Sequence, residues 1–445
     1  MSDAAPSHAS SRIAPPAAVL QIVTTLQRAG HDTWCVGGAV RDALLGHVHL
    51  DWDLATAATP PQVRRLFART IPVGIEFGTV GVLDAAGRMH EVTTFRRDVQ
   101  HDGRHAVVQF GASLDEDLAR RDFTINAIAF DPVAGVLRDP FGGQADLSAR
   151  LVRAVGVADE RMREDRLRAL RAIRFASRFD FALEAETWAA ICASAPHLTR
   201  LSPERVKQEI DKTMDQVCAP SSAFTRWRTS GAFAALIPAL ATVSDETLSA
   251  VDALPLPGMA TRPQRRILRV AVLLSDLSAG DTTRVLKALR FSNHEVAWIA
   301  AMVELWHRHG TDTAAMLDAK TGSQTEARAL RRLASALGRL RVGAFVRVAS
   351  SRWTAARAAG RPAPTTAQVR ALHRGLNRAA FHDALDVGDL AVDGDDVRRA
   401  GVPPGPHIGH VLQRLLDDVL DEPALNTRDV LAARAAAYAL ELDAR

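Results

Sequence analysis

Hydrophobic periodicity changes once along this chain, near residue 150, and that change restricts the fold to a mixed head followed by helices. Before it, short apolar and β-branched runs alternate with helical segments. "TWCVGG", "HLDWDLAT", "FGTVGVLDA", "MHEVTTFR" and "INAIAFD" predict strands bounded by glycine or aspartate. "AAVLQIVTTLQRAG" and "TPPQVRRLFA" predict helices, the second with Thr59 as N-cap and Pro60 and Pro61 in its first turn. Beyond it, "ETWAAICASA", "SPERVKQEIDKTM", "PQRRILRVAVLL", "HEVAWIAAMVELWHRH" and "ARALRRLASALGRL" all carry the 3.6-residue period. The class is therefore α+β, a sheet-containing head followed by an all-α portion. The breaker-rich stretch 358–368, "AAGRPAPTTAQ", predicts a joint between the last two helical units.

At 445 residues the chain exceeds what one core serves, so several domains are expected. It has no run of about 18 apolar residues, which excludes a transmembrane helix. Its start lacks a basic segment followed by an apolar one, and residues 1–14 are expected to be an unstructured tail rather than a signal peptide. Cys35, Cys192 and Cys218 are far apart, which argues against a disulfide framework or zinc site and for a reducing cytoplasm. The net charge of +4 is mild, but the cations are nearly all arginine and several cluster between Arg150 and Arg178. Guanidinium suits bidentate contact with phosphates and base edges.

"DWD" places Asp51 and Asp53 at i and i+2, on one face if the segment is a strand. Two carboxylates that close repel unless a cation lies between them. Magnesium takes such hard oxygen donors and can serve an in-line phosphoryl displacement. A bare DxD also describes a solvated acidic turn, so context decides. Upstream, Gly37 and Gly38 in "VGGAVRDALLG" follow a strand and open a helix, where backbone N–H groups can approach a phosphate. Arg41 lies one turn further on.

"GGAVRDALLG…DWD" resembles the head of the class II tRNA nucleotidyltransferases, the CCA-adding enzymes, and of the related bacterial poly(A) polymerases. "RRDFTINAIAFD", "DPFGGQADL", "EDRLRALRAIRF" and "SPERVKQEI" follow in the family's order, so the resemblance runs from about Trp34 to Ile210. It implies a DNA polymerase β-like nucleotidyltransferase head over 15–150, a helical neck over 151–218, a body over 219–357 and a tRNA-binding tail over 358–445. It implies template-independent transfer of C, C and A from CTP and ATP to the 3′ end of tRNA. Asp51 and Asp53 would hold Mg2+, with Glu91 a candidate third carboxylate. Gly37, Gly38, Arg41 and Arg121 would hold the triphosphate. In the EDxxR helix, Asp165 and Arg168 would act together to read the base. Cytosine and adenine share an amine donor beside a ring acceptor, and guanine and uracil present the reverse, so an Asp–Arg pair selects the first two. Arg171 and Arg174 would face the triphosphate or brace that pair. Asp122 and Asn126 read as structural.

Residues 95–110, "FRRDVQHDGRHAVVQF", are expected to form a mobile polar loop, which in the resembled family favours complete CCA addition over CC alone. "LAVDGDDVRRAGVPPGPHIGHVLQRLLDDVLDEPALNTRDVL" resembles the family's tail; His407 there reads as a contact or cap. Ser275 stands where a His-Asp hydrolase pair would need histidine, so Asp276 is expected to have no metal role, and His382-Asp383 lacks partner histidines. No obligatory protein partner is expected. Partial CC- or A-addition, poly(A) synthesis and an inactive RNA-binding protein remain the alternatives.

Overall fold

The computed structural model describes residues 13–47, 51–101, 106–254, 262–318 and 323–443. The chain divides into two compact units, Met1–Thr242 and Val243–Arg445. The expected boundaries at 218 and 357 both fall inside these units, and most of the expected tail at 1–14 lies outside the described residues.

The first unit opens with α1 (Ala17–Arg28), whose Val19, Ile22, Val23 and Leu26 recur at helical spacing and are buried. It leads into β1 (Thr33–Val36), α2 (Gly38–Leu44), β2 (Asp53–Thr56) and α3 (Pro60–Leu66). α3 starts as its sequence demands: the Thr59 N–H donates to Gln62 Oε1 at 2.8 Å ahead of the two prolines. Next come β3 (Thr70–Pro72), β4 (Thr79–Leu83) and β5 (Met89–Thr94), then β6 (Arg96–His101) and β7 (Ala106–Phe110). After α4 (Leu114–Ala119) follow β8 (Ala129–Asp131) and β9 (Val136–Arg138). Seven strands form one sheet in the order β3-β4-β5-β2-β1-β8-β9. Within this sheet, among the described residues, β2 and β5 pair in parallel and the other neighbours are antiparallel. Val36, Ala55 and Ala129 from the sheet pack with Phe95, Leu114 and Leu118 in a core beneath it.

The neck side of this unit is helical: α5 (Gly143–Ser148), α6 (Ala158–Glu164), α7 (Leu167–Phe179), α8 (Ala185–Ser194), α9 (Pro203–Gln216), α10 (Pro220–Ser230) and α11 (Ala232–Leu236). Two short strands, β10 (Leu151–Val152) and β11 (Ala182–Leu183), pair in parallel between them.

Three local expectations change. Residues 95–110 are not a loop: β6 and β7 form an antiparallel ribbon from Arg96↔Phe110 to His101↔Ala106, and only 102–105 lie outside the described residues. Pairing satisfies the backbone groups there. In "HLDWDLAT" the strand begins only at Asp53, and 48–50 lie outside the described residues. In "INAIAFD", Thr124–Asn126 is a 3-10 turn, its Asn126 side chain tied back to Asp122 at 2.9 Å, and only Ala129–Asp131 is extended.

The second unit is all helix among its described residues: α12 (Asp245–Asp252), α13 (Arg262–Leu273), α14 (Ala279–Ala288), α15 (Asn293–Asp318), α16 (Ser323–Leu337), α17 (Val342–Ala358), α18 (Thr366–His382), α19 (Gly394–Arg399), α20 (Pro406–Asp421) and α21 (Arg428–Asp443). Val397, Val411, Leu415, Val419, Leu431 and Ala435 form the core of the last three. Residues 359–365 link α17 to α18 within this unit. Asp276 accepts from Thr247 and pairs with Arg352 Nη2 at 2.9 Å, so a guanidinium occupies that carboxylate. His382 is exposed at the end of α18, and His407 is exposed in the first turn of α20.

Candidate nucleotide site

In the first unit, α2, the segment 120–126, one side of α7 from Arg168 to Arg178 and the end of α9 enclose a cleft of about 480 Å³. Eight cationic side chains and three carboxylates line it. At its rim the chain turns from β1 into α2 through Gly37, whose φ is +75°. A Cβ there would lie 3.0 Å from Arg121 Nη1 and 3.8 Å from Asp53 Oδ2, so only glycine leaves this space open. The register Val36↔Asp53 brings the second aspartate alongside the turn.

Asp51 and Asp53 are exposed on either side of buried Trp52. Asp53 lines the cleft; Asp51 and Glu91 do not. Glu91 lies on β5, one residue beyond the Leu54↔Val92 pair, and so shares the face of Asp53 on the neighbouring strand. Carboxylate oxygens such as these suit a hard divalent cation. Among the described residues no three His, Cys, Asp or Glu side chains form a ready-made cage, so such an ion would take its other donors from substrate and water.

Arg41 does not extend freely into the cleft. Its Nε donates to Asp42 Oδ1 at 2.8 Å and its Nη1 to Asn126 Oδ1 at 2.5 Å. Burial lowers its pKa, and Asp42 opposes that shift. Asn126 also donates to Asp122 Oδ1 at 2.9 Å. Asp122 Oδ2 accepts from Arg171 Nε at 2.9 Å and Nη2 at 2.7 Å. Burial would raise the Asp122 carboxyl, but Arg171, Asn126 and Arg168 hold it below the usual range. The expectation that Asp122 is structural thus becomes specific: with Asn126 it ties Arg41 of the head to Arg171 of α7. Arg121 Nη2 donates to Asp117 Oδ2 at 3.2 Å while Arg120 takes Asp117 Oδ1 at 3.0 Å.

The EDxxR segment is not one helix. α6 ends at Glu164, Asp165 is extended (φ −145°, ψ 104°), and α7 begins at Leu167. Asp165 Oδ1 accepts the Leu167 N–H at 3.1 Å, one of the donors that have no partner within the helix at its start. Asp165 and Arg168 both line the cleft, but they do not pair with each other. Asp165 Oδ2 accepts from Arg205 Nη2 at 2.7 Å. Arg168 Nη1 donates to Glu164 Oε2 at 2.6 Å and Nη2 to the Arg120 carbonyl at 2.9 Å. Arg174, expected to face the triphosphate or brace the reading pair, is a buried partner of Glu209 at 2.7 Å and of Gln216 at 3.2 Å, and burial lowers its pKa.

Sequence reasoning missed Arg178, Lys212 and Gln216 of the lining, and Arg205 and Glu209 behind it. A signal existed: 205, 209, 212 and 216 recur at spacings of four, three and four on α9, one face of a helix.

Residues 33–153 match the family model described as Poly A polymerase head domain, and residues 180–243 match that of the probable RNA and SrmB-binding site of polymerase A. Over 417 residues the chain is 36% identical to a CCA-adding enzyme of Geobacillus kaustophilus, covering 93% of this chain and 95% of that one. A CCA-adding enzyme of Geobacillus thermodenitrificans is 49% identical over 197 residues, 44% of this chain and 48% of that one. The crystal structure of the Bacillus stearothermophilus CCA-adding enzyme in complex with CTP superposes with a TM-score of 0.76 at 32% identity, covering 96% of this chain and 98% of that one. The Thermotoga maritima CCA-adding enzyme complexed with tRNA shares the fold at 20% identity and a TM-score of 0.67, covering 97% and 98% of the two chains.

Proposed function

Because the chain belongs to the family of CCA-adding enzymes, we propose that it adds C, C and A, without a template, to the 3′ end of tRNA. CTP and ATP are the donors and pyrophosphate is the product. One observation carries the reading: the Gly37 turn, the Asp53 carboxylate, Asp165, Arg168 and the arginine row all converge on a single cleft.

In this reading the backbone at Gly37–Gly38 and the guanidinium groups of Arg121 and Arg171 receive the triphosphate. Arg41 and Arg174, each held by a buried acceptor, supply field rather than a freely moving contact. Asp165 accepts the exocyclic amine of cytosine or adenine and Arg168 donates to the ring acceptor; each leaves its present partner to do so. The family works with a divalent metal, and we assign Mg2+ to Asp51 and Asp53, with Glu91 as a supporting carboxylate on the same sheet face. When bound, the ion neutralises triphosphate charge and lowers the pKa of the attacking hydroxyl.

The second unit offers a surface for RNA. Arg370, Arg374 and Arg378 step along α18 at i, i+4 and i+8, all exposed, and the row ends at Phe381, 80% exposed. No carboxylate among the described residues pairs with these three, whereas Arg339, Arg352 and Arg428 of the same unit each have one. Arg339 bonds the Ala380 carbonyl and so brings the turn carrying Leu340, 87% exposed, to the same end of α18. We assign this row to the phosphate backbone of tRNA, since unpaired guanidinium groups suit it and RNA helices hide their bases. The reducing cytoplasm is the compartment we propose; the three cysteines are free, and no helix among the described residues is long and apolar enough to cross a membrane.

The test is incorporation by the purified protein on tRNA lacking CCA, tRNA ending in CC, and an unrelated RNA. Two C's and one A on the first, then arrest, are expected. Long A tails on the unrelated RNA would instead mean a poly(A) polymerase. Asp53→Asn is expected to remove about 4 kcal/mol of transition-state stabilisation, roughly a thousandfold in rate, with tRNA binding retained.

A further inference from the structure

Four guanidinium groups that share the cleft wall are arranged around two phenylalanine rings. Phe175 and Phe179, one turn apart on α7, lie parallel within 7° with centroids 6.1 Å apart. The Arg174 guanidinium is 4.4 Å from the Phe175 centroid, Arg41 is 5.1 Å and Arg171 is 5.4 Å from it. Arg41 is also 4.7 Å from Phe179, and Arg178 is 4.8 Å from the same ring. Phe123 meets Phe175 edge-on at 5.8 Å and fixes its orientation from the head.

Carboxylates alone do not explain how these cations stay grouped. Asp42 serves both Arg41 and Arg178, so four guanidinium groups have three acids: Asp42, Asp122 and Glu209. Ring faces attract cations without adding net negative charge, so they hold the groups together and leave the cleft positive. A polyanion then meets a field already assembled and spends no binding energy on gathering it.

We propose that Phe175 and Phe179 are positioning residues for nucleotide binding: their stacked faces hold Arg41, Arg171, Arg174 and Arg178 in the geometry that receives a polyphosphate. The assignment rests on the nucleotidyltransferase reading of the cleft but concerns two rings that act through the arginines packed on them. It separates the polyphosphate from the base, because the cations over these rings are Arg41, Arg171, Arg174 and Arg178, and Arg168 of the base-reading pair is not among them.

The experiment measures binding of inorganic tripolyphosphate and of CMP to the full chain, for wild type, Phe175→Leu, Phe179→Leu and Phe179→Tyr. Leucine keeps apolar bulk but removes the ring face; tyrosine restores it. Tripolyphosphate affinity is expected to fall about tenfold in the leucine variants, with CMP affinity within about twofold of wild type and Phe179→Tyr restored. Phe179 is partly exposed, so it decides the matter if the buried Phe175 variant does not fold. Unchanged tripolyphosphate affinity, a parallel loss of CMP binding, or failure of tyrosine to restore would each overturn the assignment. Wild-type protein that binds tripolyphosphate but incorporates no nucleotide would overturn the enzymatic reading alone.

Discussion

At the scale of single residues, Gly37 shows how little space the site allows. It stands at φ +75° with Arg121 and Asp53 on the side where a Cβ would project. Gly37→Ala therefore combines left-handed strain of about 1–2 kcal/mol with a displaced phosphate ligand. A fall of a few degrees in thermal midpoint together with a raised KM for CTP is the expected result; a raised KM without loss of stability would mean the strain is relieved elsewhere. The glycine pair and the aspartates were readable in the sequence because the need for bare backbone and for paired carboxylates is local. The partners of Asp165 and Arg174 were not. Arg205 and Glu209 lie 40 and 35 residues away and reach the cleft only because α9 packs on α7.

At the scale of elements, the break between α6 and α7 is what the arginine periodicity concealed. Arg168, Arg171 and Arg174 do recur on one side of α7, but Asp165 stands before that helix and serves as its first acceptor. The ribbon at β6 and β7 did have a signal in the apolar run "AVVQF", which the charged stretch "RRDVQHDGRH" before it obscured. The link from α7 to the head runs through Asp122, and this gives a pH dependence. Its folded pKa is depressed, so its stabilisation is complete above the unfolded value near 3.9 and is lost as pH falls through the lower folded value. Asp122→Asn is expected to cost about 2 kcal/mol at neutral pH. The gap between variant and wild-type thermal midpoints should close as the pH is taken below about 4; a constant gap would show that the carboxylate charge is not what holds Arg171.

At the scale of the whole molecule, the mixed head and its helical continuation were legible from the change of period, whereas the order and pairing of the strands came only from the structure. The division at 242/243 was not legible, since no breaker marks it; the prominent Pro/Gly stretch near 360 only links two packed helices. The RNA assignment belongs at this scale too. Changing Arg370, Arg374 and Arg378 together to alanine is expected to raise KM for tRNA while leaving KM for CTP unchanged. The slope of log affinity against log salt should flatten by about 2–3. An unchanged salt slope would remove α18 from the RNA surface.

Asp165 pairs with Arg205, and Arg168 with Glu164. On the proposed assignment, every entering base competes with these resident partners. Cytosine and adenine replace what they displace, a donor for the carboxylate and an acceptor for the guanidinium. Guanine and uracil break two ion pairs and restore neither. On that assignment misincorporation is suppressed twice, by the bond a wrong base fails to make and by the ion pair it has to disrupt, so fidelity rests partly on Arg205 and Glu164.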